Sequence, residues 1–459
     1  MTAAPLLPPG AALLAGHASL DEPLAWRAGQ RLTRRRYLHD VHRLAASLPA
    51  AGPVLAMTSD RYLFMLALGA AALRGQSSLM PPNHTPDMVG RLRTLFPQAY
   101  VLGDAGQPAL ELPTLAFPAF PSGVDTPAMP HLGADQEVAH VLTSGSTGQP
   151  MPHGKRWGQL VTNIRAEAQR LAESLGRPDL RGVTIVGTVP AHHMYGFEST
   201  VLIAMLGGAA CAAERPFYPQ DVARVLASVP RPRVLVTTPV HLKTLLEDGV
   251  ALPPVDLTVS ATAPLSPQLA ARAEAVLGAP LIEIYGCTEA GQVATRRTTE
   301  GPEWRTFPGI ALAGDGEESS VSGGHVPEPT RLADVLEVLE PTRFRLLGRS
   351  NDLINVAGKR SSLAHLNHHL NSIEGVRDGA FWLPPDHGDG SVVRLVAVVV
   401  APQVSRDALL AALRQRVDAA FLPRRILRID ALPRDPTGKL PAGRLAELAT
   451  RLIAEAGHG

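Results

Sequence analysis

Thr143, Ser144, Gly145, Ser146, Thr147 and Gly148 form an unbroken string of hydroxyl residues and glycines. Small residues let a backbone fold tightly and aim successive N–H groups at an anion, and the hydroxyls add further donors. The string lacks the Gly-Lys-Ser/Thr ending of a Walker-type loop, so any phosphate it held would be held differently. Read alone, it is equally an ordinary Ser/Gly turn. Near the other end of the chain, Gly438 precedes Lys439, a spacing that lets a loop present a long cation. His193 stands beside His192, and a packed, a solvated and a catalytic role are all open to it.

The elements that must position these residues read as alternating strands and helices. Short apolar runs at Val54–Ser59, Val138–Thr143, Val183–Val189, Arg233–Thr238 and Leu281–Tyr285 suit buried parallel strands. Helical patterns follow at Tyr62–Arg74 and Gln220–Ser228. The alternation predicts an α/β fold, with ligands at the carboxyl ends of strands, where the turns after Thr143 and Tyr285 lie. Gly309 to Thr330 reads as surface loops. A second, smaller α+β unit is expected from Gly348, with a strand at Val393–Val400, a helix at Arg406–Phe421 and a strand at Arg425–Ile429.

Four further segments complete the pattern. They are Pro190-Ala191-His192-His193-Met194-Tyr195-Gly196, Tyr285-Gly286-Cys287-Thr288-Glu289, Gly348-Arg349-Ser350-Asn351-Asp352 with Gly358, and Leu432-Pro433 through Gly438-Lys439. With the hydroxyl-rich string, and in this order, they resemble the adenylate-forming superfamily of acyl-CoA synthetases, aryl-CoA ligases, peptide-synthetase adenylation domains and luciferases. The resemblance covers most of the chain. It implies a large multi-subdomain N-terminal domain, 1–347, with parallel-rich sheets flanked by helices, and a small mobile α+β C-terminal lid, 348–459. It implies ATP-dependent activation of a carboxylic acid to acyl-AMP. A phosphopantetheine thiol, of CoA or of an acyl carrier protein, then accepts the acyl group.

By the same resemblance, Thr143 to Gly148 would bind phosphate, Glu289 would hold Mg²⁺, and Thr288 would donate to the α-phosphate. Tyr285 would stack on adenine, with Gly286 beside it. Asp334 and Arg349 would contact ribose, and Lys439 would bridge carboxylate and α-phosphate. His193, Phe197, Ala261, Ala263 and Gly291 would line the acid pocket. The compact length resembles enzymes of aryl-polyene and xanthomonadin-type pathways that load an aromatic or fatty acid onto an acyl carrier protein. Rival readings are a binding module of the same fold without catalysis and an adenylating enzyme with a non-thiol acceptor.

Several positions depart from the family pattern. Met151, not lysine, follows Pro150, and the nearest lysine is Lys155. Either Lys155 reaches back or the loop works with backbone donors alone. Asn351 and Asn355 replace a frequent Asp and Lys, and Ser260-Ala261-Thr262-Ala263-Pro264 lacks the usual glycines. Bulk composition excludes other classes. With 43 basic and 42 acidic residues, nothing marks a nucleic-acid or membrane-surface protein. Two cysteines, Cys211 and Cys287, cannot build a disulfide framework, which suits a reducing, cytoplasmic compartment. No apolar run is long enough for a membrane span, and Met1–Leu20 lacks the basic start of a secretory signal. The arginines Arg414, Arg416, Arg424, Arg425 and Arg428 could steer an acidic carrier protein or CoA, or simply be a solvated face.

Overall fold

The structure, a computed structural model, describes residues 10–104, 110–120, 128–144, 150–314, 318–349, 353–356, 359–384, 394–434 and 440–456. Its centre is an eleven-stranded mixed sheet. In spatial order the strands are Asp334–Glu340, Arg343–Arg349, Glu303–Thr306, Gly291–Arg296, Leu281–Cys287, Leu257–Ser260, Arg233–Thr237, Thr184–Gly187, Ala210–Ala212, Pro23–Arg27 and Gln30–Thr33. The middle strands are parallel, and Thr184–Gly187 and Leu257–Ser260 are buried at every position. Burial on both faces is what an unbroken apolar run encodes, and helices supply the cover. Two of those helices begin at a hydroxyl cap followed by proline. Thr238 caps Pro239–Asp248 by accepting from the His241 amide, and Ser266 caps Pro267–Leu277 by accepting from Leu269.

A six-stranded sheet lies beside it, in the order Pro150–Arg156, Glu137–Ser144, Ser78–Met80, Val54–Met57, Tyr100–Gly103 and Thr114–Ala116. Glu137–Ser144 is parallel to Ser78–Met80 on one side but antiparallel to Pro150–Arg156 on the other. The strand expected at Val138–Thr143 is thus parallel on one side only, within a parallel-rich sheet. Thr143 and Ser144 end the first of these two antiparallel strands, and the rest of the hydroxyl-rich string lies outside the described residues.

The expectation of loops from Gly309 to Thr330 is corrected. Ala311–Gly314, Ser319–Gly323 and Val326–Leu332 form a three-stranded antiparallel sheet. Its second reversal is made by Gly323 and Gly324, both with positive φ (87° and 56°), the conformation that a tight hairpin demands.

A separate core begins beyond Arg349. Leu366, Leu370, Phe381, Val399, Leu409 and Leu413 pack together under a sheet of Asp378–Trp382, Val396–Val400 and Arg425–Arg428. Gly348 and Arg349 themselves still belong to the strand Arg343–Arg349, so the large sheet runs two residues past the expected boundary at 347/348. The helix expected over Arg406–Phe421 stops at Arg414. Asp418 then caps a short 3₁₀ turn, Ala419–Phe421, by accepting from the Ala420 amide. Among the described residues no helix is long and apolar enough to cross a membrane.

Candidate active site

Three strands of the parallel part of the large sheet, with Arg233–Thr237 between the first and the second, bring their carboxyl ends to one edge. Thr184–Gly187 leads into Pro190–His193, Leu257–Ser260 into Ala261–Ala263, and Leu281–Cys287 into Thr288 and Glu289. The edge of such a sheet is where α/β folds hold ligands. The positions implied for the acid and for the α-phosphate thus come together from sites about a hundred residues apart in sequence.

Glu289 is exposed in the turn between Leu281–Cys287 and Gly291–Arg296, and Thr288 is half-buried beside it. Tyr285 is buried, with its ring against Trp304 and Phe344, and its hydroxyl donates to Asp334 Oδ2 at 2.9 Å. Asp334 begins its strand directly opposite Arg349. The two residues implied for ribose are therefore cross-strand neighbours, and Tyr285 is tied to one of them. Thr143 and Ser144 end their strand opposite Met151 and Pro150. Gly145, Ser146, Thr147, Gly148 and Lys439 lie outside the described residues, as do Asn351 and Asp352.

Lys155, the lysine nearest the hydroxyl-rich string, is held by the turn that carries Thr288. It is buried on the return strand, and Nζ donates to the Thr288 carbonyl. Burial pulls its ammonium below the usual lysine range, opposed by Glu198, Cys287 and Glu289. Burial also pushes the half-buried Cys287 thiol up to about 12, so it is no thiolate nucleophile at neutral pH.

His193 ends its loop as the residue before the helix Met194–Gly196, its ring edge-on to His192 at 4.7 Å. Burial and the neighbouring imidazoles pull His192 down to about 3. Phe197 is fully buried, and its ring packs against Phe64. It opens a π-helical turn, Phe197–Leu202, and the next side chain, Glu198, faces a cavity. Ala261 is buried and Ala263 half-buried, on either side of Thr262, whose φ is 81°.

The cavity has a volume of ≈ 230 Å³ and is lined by Lys155, Asn163, Met194, Glu198, Glu289, Gly291 and His325, among others. Asn163, Glu198 and His325 were not expected from the sequence. Asn163 Nδ2 donates to Glu198 Oε1 at 2.5 Å. Burial and the nearby Glu167 raise the Glu198 carboxyl to about 8, and burial pulls His325 down to about 4. The sequence marks only the helix face that carries Asn163. Asn163, Glu167 and Arg170 recur at helical spacing on the buried face of Trp157–Ser174, among Leu160, Val161, Ile164 and Leu171. Polar side chains on an apolar stripe are rarely idle.

A profile of the family described as AMP-binding enzyme matches residues 93–318. A 4-coumarate–CoA ligase of Rhodobacter capsulatus is 30% identical over 340 residues, 73% of this chain and 81% of that protein. The chain belongs to the AMP-binding enzyme family. A second relative, a 4-chlorobenzoate–CoA ligase of an Arthrobacter species, is 25% identical over 490 residues, covering 92% of this chain and 90% of that protein. Among solved structures, ATP-bound MatB from Rhodopseudomonas palustris shares the fold, with a TM-score of 0.76 at 19% identity over 94% of this chain and 96% of that one. The match to the AMP-binding enzyme profile includes the hydroxyl-rich string, His193 and Thr288–Glu289. It stops before Asp334, Arg349 and Lys439.

Proposed function

We propose that this AMP-binding enzyme is an acid–thiol ligase. It condenses a small carboxylic acid with ATP, releasing pyrophosphate, and passes the acyl group from acyl-AMP to a phosphopantetheine thiol. The observation that carries the reading is the shared cavity. Glu289, from the phosphate side, and Gly291, the one expected acid-pocket residue among its lining, open on the same space, with Met194, the neighbour of His193, beside them. A carboxylate brought there would meet the α-phosphate where the charge of the triphosphate most needs offsetting.

Magnesium fits this donor set in one way. Among the described residues no group of three or more His, Cys, Asp or Glu side chains could hold a metal unaided. One exposed carboxylate that shares the ion with nucleotide oxygens is how Mg²⁺ is commonly held, and Glu289 would be that carboxylate. When bound, the ion neutralises phosphate charge and makes phosphorus a better electrophile. Thr288 and the backbone of the Thr143–Gly148 string would orient the phosphates, and Asp334 and Arg349 the ribose.

The size of the cavity supports a single-ring or short-chain acid over a long fatty chain, since ≈ 230 Å³ is below the usual range for drug-sized ligands. CoA is the acceptor supported by the named activities of both relatives. A carrier-protein thiol presents the same chemistry to the same site. Acid-dependent exchange of labelled pyrophosphate into ATP tests the first half. Exchange with at least one small acid is expected, and no exchange across aromatic and aliphatic acids would reduce the protein to a binding module. CoA and a phosphopantetheinylated carrier protein, supplied in parallel, then identify the acceptor by thioester formation.

A further inference from the structure

The floor of the cavity holds a converging set of polar atoms. A methyl-sized atom placed one bond from the Gly291 Cα lies 3.2 Å from Asn163 Nδ2, 3.3 Å from Glu198 Oε1 and 3.4 Å from His325 Nε2. Residue 291 has no side chain and a φ of 75°, so the chain itself leaves that point open. All three neighbours are nearly shut off from solvent, at 2%, 2% and 7% exposure. Asn163 Oδ1 has no hydrogen-bond partner among the described residues, and the His325 ring faces the Ala290 and Gln292 backbone beside that point. Buried donors and acceptors left unpaired are costly, and a hydrocarbon seated among them would pair none.

We infer that the acid activated here carries a hydrogen-bond donor, a hydroxyl or an amino group, remote from its carboxylate, and that Glu198, with Asn163 and His325, receives it above Gly291. The inference rests on the acid–thiol ligase reading and names the substrate class of that site. The O–H or N–H of that group hydrogen-bonds to Glu198 Oε1, which also accepts from Asn163 Nδ2, and the proton stays on the acid. The group's own lone pair, where it is a hydroxyl, accepts from Asn163 or His325. Glu198 is then the specificity-determining residue. Sites that hydrogen-bond a substrate group reject an analogue lacking it far more strongly than apolar pockets reject a missing methylene.

The test is a set of size-matched acids in the pyrophosphate exchange assay. It uses benzoates bearing hydroxyl, amino, chloro or methyl at the meta or para position, and a short aliphatic acid with and without a terminal hydroxyl. The best hydroxy or amino acid is expected to exceed its chloro or methyl counterpart by ~100-fold or more in kcat/KM. Which of the two leads tells hydroxyl from amine. Equal or better exchange with the chloro and methyl acids overturns the inference while leaving the ligase reading intact. Absence of exchange with every acid would instead remove the reading beneath it. Glu198→Leu is expected to collapse or reverse the preference, a ratio that general loss of folded protein would not move. An unchanged ratio in that variant overturns the role given to Glu198.

Discussion

Two carboxylates near the cavity make opposite predictions. Glu289 is exposed, so its loss should leave the fold intact and remove chemistry alone. Glu289→Ala is expected to keep its thermal midpoint within a degree or two while pyrophosphate exchange falls by ~10²-fold or more, as when other electrostatic stabilisers are lost. Glu167 is wholly buried, and burial raises its carboxyl from 4.5 to about 7, partly offset by Ser199 and Gln292. The folded state therefore holds this proton more tightly than the unfolded chain. The resulting stability is full below pH 4.5, drains as pH rises through about 7, and is absent above. Its size is roughly 3 kcal/mol from the shift. Thermal midpoints of the native protein should fall between pH 5 and pH 8, and Glu167→Gln should flatten that fall; parallel curves would rule the assignment out. Glu289 and Thr288 stand out in the sequence as candidates because they sit in a contiguous string. Glu198, Asn163 and His325 do not, because their chemistry arises only when a helix face, a π-helical turn and a Gly-Gly hairpin meet.

The strands were legible as elements because unbroken apolar runs have few alternatives, and Leu281–Tyr285 and Arg233–Thr238 match the observed strands to within two residues. The sheet from Ala311 to Leu332 was not, since Gly, Ser, Glu and Pro conceal its alternation and the Gly323-Gly324 reversal is its one clear mark. Arg61 also escaped notice, and it is the fastener of the acid-side loop. It begins the helix Arg61–Leu73, is 1% exposed, and donates to the carbonyls of Gly187, Val189 and Glu214 at 2.7 Å and to Thr200 Oγ1 at 3.1 Å. Gly187 and Val189 lead directly into Pro190–His193. Arg61→Met would leave those carbonyls buried and unpaired, at a cost of roughly 3–5 kcal/mol. The expected outcome is a markedly lower thermal midpoint, with a raised KM for the acid and a nearly unchanged KM for ATP in the protein that remains folded. Equal rises in both constants would mean that Arg61 does not act through this loop.

At the scale of the whole molecule, two cores meet at one strand end. The large sheet closes on Asp334 opposite Arg349, and shortly beyond it Ile354 and Val356 already pack into the second core. The Gly-Arg pair that suggested a junction is a local signal. It could not show that the pair completes the large sheet, since that depends on a partner strand. Lys243 donates to the Arg377 carbonyl, so the units also touch through a surface helix of the large one. A two-core protein can bring its smaller unit over the edge of the larger one in more than one way. The resemblance assigns Lys439, in the smaller unit, to only the first half-reaction. Lys439→Ala in the full chain is therefore expected to lower pyrophosphate exchange by ~10²–10³-fold, the range for a lost transition-state contact. Thioester formation from supplied acyl-AMP should stay within a few-fold of the native rate, because that step neither creates nor moves charge on the triphosphate. Equal losses in both steps would mean that Lys439 supports the fold of the smaller unit. Unaltered exchange would mean that some other cation, with Lys155 the first to test by Lys155→Met, meets the carboxylate and the α-phosphate.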